Sequence, residues 1–291
     1  EANVVDAPWG GKWWACNAFG ESDNALHAGI CCQGLVEAYE LFGDERYLRA
    51  AADVLTAWPY DAIDHAPYEV LDRDGHDPRG TFVYNQRFHL VLSMLQVGMR
   101  LGRSDLVERG TESLRLGILP GMRADGYWPY LRSESPAPAP HYQLLLLKML
   151  SHLAWEPGWS EDEQLRETLH RSMEYALGRW VWKQEDLDGE TYLWSDVYAK
   201  ERRPQLALAK AGCAATVLGW LAAHVDAAYL GALVATVRGI YAARPSRVLE
   251  TMGPASWLHT SVLAPLLDLR LHGYRFAGDG ETLASLRLEL P

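Results

Sequence analysis

Helical patterns in this chain come in pairs, and the pairs recur. The first helix of each pair is predicted to start near residues 23, 82, 141, 205 and 256, an interval of roughly 50 to 65 residues. Within a pair the turn is short; between pairs the connection is long. In the first pair, Ser22 or Asp23 caps a helix running to about Phe42, with apolar positions at Leu26, Ile30, Leu35, Ala38 and Leu41. Gly43 then ends that helix and Asp44 starts the next, DERYLRAAADVLTAW. In the second pair, FVYNQRFHLVLSMLQVGMRLG stops at Gly102, and Ser104 is expected to cap SDLVERGTESLRLGIL. A helix from His141 to about Trp155 precedes an amphipathic one from about Ser160 to Trp182. QLALAKAGCAATVLGWLAAHV pairs with DAAYLGALVATVRGIYAA, and WLHTSVLAPLLDLRLHGY opens the last unit. The tail, ETLASLRLEL, alternates and reads as a closing strand.

First helices carry many small residues (AGICCQG, ALAKAGCAA), as helices crowded around an axis should. Second helices carry more charge, as outer ones should. The pattern predicts an all-α fold: an (α/α) toroid of helical hairpins, complete or incomplete, forming a single domain over 1–291. Long loops and short strands gather on one face. An open solenoid is the competing arrangement, but its units are more uniform in length than these.

Between the second and third pairs lies ADGYWPYLRSESPAPAPHY, Ala124 to Tyr142. Asp125-Gly126 is a turn signal. Pro136, Pro138 and Pro140 at alternate positions bar a helix through that stretch. The loop therefore delivers His141 and Tyr142 to the start of an apolar helix. Asp-Gly recurs at Asp74-Gly75 and Asp188-Gly189 in the other long loops, with aromatic residues soon after.

The chain has 12 Trp and 14 Tyr against 5 Phe. Rings with a polar handle suit surfaces that are apolar on one face and wet at the edge, as carbohydrate clefts are; core filling is the competing use. The net charge of −11 argues against nucleic acid as a partner. No apolar run of about 18 residues is present, so no membrane span is expected. Cys16, Cys31, Cys32 and Cys213 show no metal-ligand spacing and are read as reduced, buried small residues. No cofactor and no metal is expected.

If all first-helix starts share one mouth, their polar residues converge there. These are Asn24 and His27; Tyr84, Asn85, Arg87 and His89; His141 and Tyr142; and Trp257, His259 and Thr260, with Trp128, Tyr130 and Arg132 from the central loop. Each taken singly has a plain explanation as a cap or as a partner for a buried backbone group. The set carries the functional reading, since His, Asn or Tyr stands at the same place in most repeats.

FVYNQRFHLVLSMLQVGMRLGRSDLVERG, ADGYWPYLRSES and HYQLLLLKMLSHLA together resemble the central part of toroidal polysaccharide lyases of the alginate-lyase and heparinase-like type, over about residues 82–150. The resemblance implies cleavage of a uronate-containing glycan by β-elimination. It makes Asn85 the residue that neutralises the uronate carboxylate, Arg132 the substrate-binding arginine, and Tyr142 the acid/base with His141 beside it. Tyr84, Arg87, His89, Trp128, Tyr130, His27, Trp257 and His259 would line the oligo- or polysaccharide. Where the family has His after the Asn, this chain has Gln86; the nearest imidazoles are His89 and His141. The chemistry is coherent: donors offset the carboxylate charge, a base takes the neighbouring proton, and an acid protonates the leaving oxygen.

Glycoside hydrolysis on the same toroid is the alternative, with a carboxyl pair drawn from Asp72, Asp74, Asp77, Glu134, Asp188 and Asp196. A non-catalytic sugar-binding toroid is another. The acidic run from Asp72 to Asp77 lacks the spacing and closing Glu of a calcium loop and reads as an acidic turn.

Overall fold

The computed structural model describes residues 4–6, 12–14, 23–68, 70–71, 82–132, 140–186, 189–194, 204–242, 266–267, 269–277 and 287–289. The chain divides into two compact units. Unit 1 takes Glu1–Arg123 and Trp128–Ala137; unit 2 takes Ala124–Tyr127 and Pro138–Pro291.

Unit 1 is built on two helical hairpins. The first joins α1 (Ala25–Phe42) to α2 (Glu45–Ala57), the second α3 (Tyr84–Leu101) to α4 (Ser104–Glu112). The turns close by local signals. Gly43 and Gly102 take φ of +68° and +65°, which a side chain resists, and their N–H groups return to Tyr39 and Gly98 carbonyls. Asp44 caps α2 by accepting from the Arg46 N–H at 3.0 Å. Ser104, expected as a cap, is the first helical residue of α4, and the capping position falls to Arg103 without a side-chain bond. Beyond Glu112 the helix widens into a π-helical stretch, Ser113–Ile118, and ends in a 3₁₀ turn, Leu119–Gly121.

Short strands decorate this frame. β1 (Val4–Asp6) pairs antiparallel with β2 (Lys12–Trp14). β3 (Asp23–Asn24), expected inside α1, pairs instead with β6 (Val70–Leu71). Within the long loop after α2, β4 (Tyr60–Asp61) pairs with β5 (Ala66–Pro67).

α1 packs on both α2 and α3. The α1 face buried is Ala25, Ala28, Gly29, Cys32 and Val36. Of the face expected from the larger apolar residues, Ile30 and Leu41 are exposed instead. The reason is the distance between α1 and α3. A Cβ built on Gly29 would overlap the Cβ of His89, so only small residues fit at the crossing. Ser93 donates from the same seam to the His89 and Gly29 carbonyls. Cys31, one residue from buried Cys32, is exposed and not buried as expected, because neighbours on a helix point about 100° apart.

Unit 2 repeats the plan. α5 (Pro140–Trp155) is followed by α6 (Glu163–Trp180), and α7 (Pro204–His224) by α8 (Tyr229–Ala242). α5 begins on Pro140 itself, whose missing N–H costs nothing in a first turn. α6 starts three residues after the expected Ser160, with Asp162 capping it through the Leu165 N–H at 2.8 Å. α6 stops at Trp180, and the stretch expected as loop forms a hairpin of β7 (Val181–Asp186) and β8 (Gly189–Trp194). β8 packs on α8 at Gly239, where a Cβ would collide with the Tyr192 carbonyl oxygen. The tail strand β10 (Arg287–Glu289) pairs with β9 (Arg275–Ala277). Among the described residues, no helix is long and apolar enough to cross a membrane.

Gly29→Ala places a methyl against His89 backbone and should lower stability by about 1–3 kcal/mol. Gly34, on the exposed side of the same helix with nothing within 4 Å of a built Cβ, provides the contrast. Gly34→Ala should be neutral or stabilising by up to about 1 kcal/mol. Urea unfolding of the two variants measures both.

Candidate functional site

Two segments meet at the start of α3. Phe82 and Val83 enter the helix, and Leu131–Arg132 runs antiparallel beside them through a Val83–Leu131 bridge. The Arg132 N–H donates to the Phe82 carbonyl at 3.1 Å. This fixes Arg132 next to residues far away in sequence. Its guanidinium lies 5.0 Å from the Phe82 ring centre and donates to Asp64 Oδ1 at 2.5 Å. Arg132 is 45 % exposed and Asp64 32 %.

Tyr84 packs its ring on Phe82, with centroids 5.0 Å apart. Gly121 lets the phenol in, since a Cβ there would overlap the ring. Burial pushes the Tyr84 hydroxyl above its ordinary pKa, opposed by the Arg132 and Arg123 guanidiniums and reinforced by Asp64. The Tyr84 ring is 4 % exposed, so this residue, expected to touch the sugar, is held inside unit 1. Asn85, next in the first turn of α3, is buried.

Asp64 is itself held. Asp61 Oδ1 accepts from the Ile63 and Asp64 N–H groups at 2.9 and 3.2 Å. His65 takes a left-handed φ of +49°, and its imidazole meets Glu112 at 2.7 Å. The π-helical stretch supports this turn from below: Gly117 closes on the His65 carbonyl, 2.7 Å from where a Cβ would be.

Other expected site residues go to the interior of unit 1. Arg87 is 1 % exposed, donates to the Pro67 carbonyl at 2.9 Å, and lies over the Phe82 ring at 4.3 Å. His89 is buried at the α1 seam, its Nδ1 3.3 Å from Gln33 Oε1. Trp128, expected as a sugar platform, is buried, with its indole N–H on the Ile118 carbonyl. None of the three presents a surface to a ligand. Tyr130 and His27 are half-buried. Trp58, Trp180 and Trp220 are also core, so packing absorbs most of the described tryptophans.

His141 and Tyr142 belong to unit 2, in the first turn of α5. Their rings meet edge to face at 5.4 Å; Tyr142 is 40 % exposed. Trp257, His259 and Thr260 lie outside the described residues, as do the candidate carboxylates Asp72, Asp74, Asp77, Glu134, Asp188 and Asp196. Among the described residues no three His, Cys, Asp or Glu side chains group as metal ligands.

Sequence reading missed Asp64 and Arg123, because only the folded chain brings them to Tyr84. It also missed a polar relay in unit 2. The Tyr229 hydroxyl donates to Glu174 at 2.6 Å and meets His170 Nδ1 at 2.6 Å. Burial and the Glu174 carboxylate push that phenol far up. Beside it a groove of about 840 Å³ is lined by Glu161, Glu163, Gln164, Arg166, Glu167, His170 and Val225.

No protein-family model and no curated protein matches the chain. Solved structures do. A sugar epimerase from a ruminal bacterium aligns with a TM-score of 0.59 at 11 % identity, over 76 % of this chain and 60 % of that one. The cellobiose 2-epimerase of Spirochaeta thermophila DSM 6192 aligns at 0.53 and 14 %, over 87 % and 61 %. The cellobiose 2-epimerase of Bacillus thermoamylovorans B4167 aligns at 0.52 and 10 %, over 91 % and 79 %. The chain thus spans about three fifths of the length of the first two. The likeness shows the fold: this is an all-α chain of the (α/α)-toroid class, built of helical hairpins.

The electrostatics of Tyr84 are open to test. Arg132→Gln removes a charge that lowers its pKa, so the Tyr84 titration should move further up; Asp64→Asn should move it down. NMR titration of ring-labelled tyrosine, assigned with Tyr84→Phe, reads both directions.

Proposed function

We propose that the chain is a carbohydrate-active enzyme, a single toroidal domain over 1–291 that removes a proton from a sugar carbon next to a carboxyl or carbonyl group. On a uronate-containing glycan this is β-elimination, the activity of a polysaccharide lyase. The observation that supports it most is the cluster at the start of α3. There a neutral phenol, Tyr84, and an accessible guanidinium, Arg132, share one field beside Asn85. Arg132 would hold the carboxylate and make the adjacent proton more acidic; Asn85, expected to share that role, is buried behind it in the first turn of α3. Tyr142, exposed in the first turn of α5, would transfer the proton at the scissile bond with His141 beside it. Tyr130, His27, Trp257 and His259 remain the proposed sugar-binding set; Tyr84, Arg87, His89 and Trp128 leave it because they are buried.

A second reading, epimerisation, is favoured by the names of the structures that share the fold. Inverting a sugar carbon next to a carbonyl group also begins, by general chemistry, with loss of its proton. The two readings therefore share a first step and part at the second: a leaving oxygen departs, or a proton returns to the opposite face. Hydrolysis rests on carboxylates outside the described residues, and no described side chain favours it.

One experiment separates the three. Uronate polymers and neutral oligosaccharides are incubated with the protein in deuterated water. Elimination yields ultraviolet absorbance from an unsaturated uronate. Epimerisation yields deuterium at the inverted carbon without that absorbance. New reducing ends with neither signal mean hydrolysis. On whichever substrate turns over, Tyr142→Phe should lower kcat by about 10²- to 10⁴-fold with little change in thermal stability. Retained activity in that variant removes Tyr142 from the chemistry.

A further inference from the structure

The Asp64–Arg132 pair is assembled from two arms that are each fixed without the other. Arg132 is located by its own backbone bond to Phe82, by the Val83–Leu131 bridge and by the Phe82 ring under its guanidinium. Asp64 is located by the Asp61 side chain and by the left-handed turn at His65 packed on Gly117. A pair whose only role is to tie two segments together would leave them loose when broken; here both stay in place. The bond is also easily exchanged. Both ends are partly exposed, where an ion pair holds about a fivefold preference at most. It rests on one contact, Nη1 to Oδ1. A free carboxylate meets a guanidinium through two parallel bonds, the stronger geometry.

We propose that Asp64 is a built-in stand-in for a ligand carboxylate. It occupies Arg132 in the unliganded chain, gives way to the carboxylate of an acidic sugar, and so sets how acidic a ligand must be to enter. The proposal rests on the carbohydrate reading for the nature of the ligand and adds to it a residue that governs selection. Neutral sugars do not compete for Arg132 and gain nothing from its release.

The test uses Asp64→Asn, which keeps the side-chain shape and removes the charge, with Arg132→Gln as its counterpart. Phenylglyoxal, which requires a free guanidinium, reports release of Arg132 through peptide mass spectrometry and needs no turnover. Calorimetry with glucuronate and with glucose reads selection. Asp64→Asn should be modified faster at Arg132, be protected by glucuronate, and bind glucuronate about threefold tighter with glucose unchanged. Arg132→Gln should lose the preference for glucuronate over glucose. An unchanged modification rate in Asp64→Asn overturns the proposal, as does equal tightening for both sugars. Release and glucuronate selection without turnover of any uronate polymer keep the stand-in and defeat the elimination reading. Turnover of a uronate polymer with no effect of Asp64→Asn does the reverse.

Discussion

The contact on which unit 1 depends is the approach of α1 to α3 at Gly29. With no side chain there, the two backbones come near enough for His89 to lie against the α1 peptide, and small residues line the rest of the seam. Dispersion and burial are strongest where surfaces are this close. The seam also consumes polar groups. Ser93 satisfies carbonyls of both helices, and Gln33 reaches the His89 carbonyl at 3.2 Å. The register of α3 is set by this crossing, and with it the places of Tyr84 and Asn85 one turn upstream.

Unit 2 uses the same solution with different partners. The Asp125-Gly126 turn lies on α6, where a Cβ on Gly126 would fall 2.6 Å from the Arg171 carbonyl oxygen. Gln143 in the first turn of α5 closes the gap, donating to the Gly126 carbonyl and to Ser172 Oγ at 3.2 and 2.7 Å. Tyr127 stacks on Tyr175 beside it at 5.2 Å. A polar residue at the start of an inner helix thus anchors a loop. Gln143 does for packing what His141 and Tyr142, immediately before it, are proposed to do for chemistry.

Much of the helical plan was legible because its signals are local. Gly43, Asp44 and Gly102 each act through their own φ or side chain, and the starts near residues 82, 141 and 205 fall within two residues of α3, α5 and α7. What was not legible depends on distance in space. The β7–β8 hairpin reads in sequence as a loop because its pairing is between strands, not within one. The larger apolar residues of α1 were expected inward, but closeness at Gly29 selects small ones. At the site, residue types were informative and their employment was not. Arg87, His89 and Trp128 have the composition of a cleft and the surroundings of a core. Asp64, 68 residues from Arg132, carries no mark in sequence of the charge it meets.

Phe82 shows how burial decides which of two arginines can act. Both guanidiniums lie over its ring, at 4.3 Å for Arg87 and 5.0 Å for Arg132. Arg87 is enclosed and bonded to a carbonyl, so its charge contributes field but not contact. Arg132 lies at the surface and contributes both. Arg123 adds to the same potential around Tyr84, and the N-terminus of α3 adds the positive end of its dipole. Set against them in the surroundings of Tyr84 is the Asp64 carboxylate. Around Tyr84 the described guanidiniums thus outnumber the carboxylate that acts on it, on a chain whose net charge is −11. A ligand carboxylate at this place would meet the local arginines, not the overall sign of the chain. It is the local sign, not the overall charge, that decides which charged groups a patch can hold.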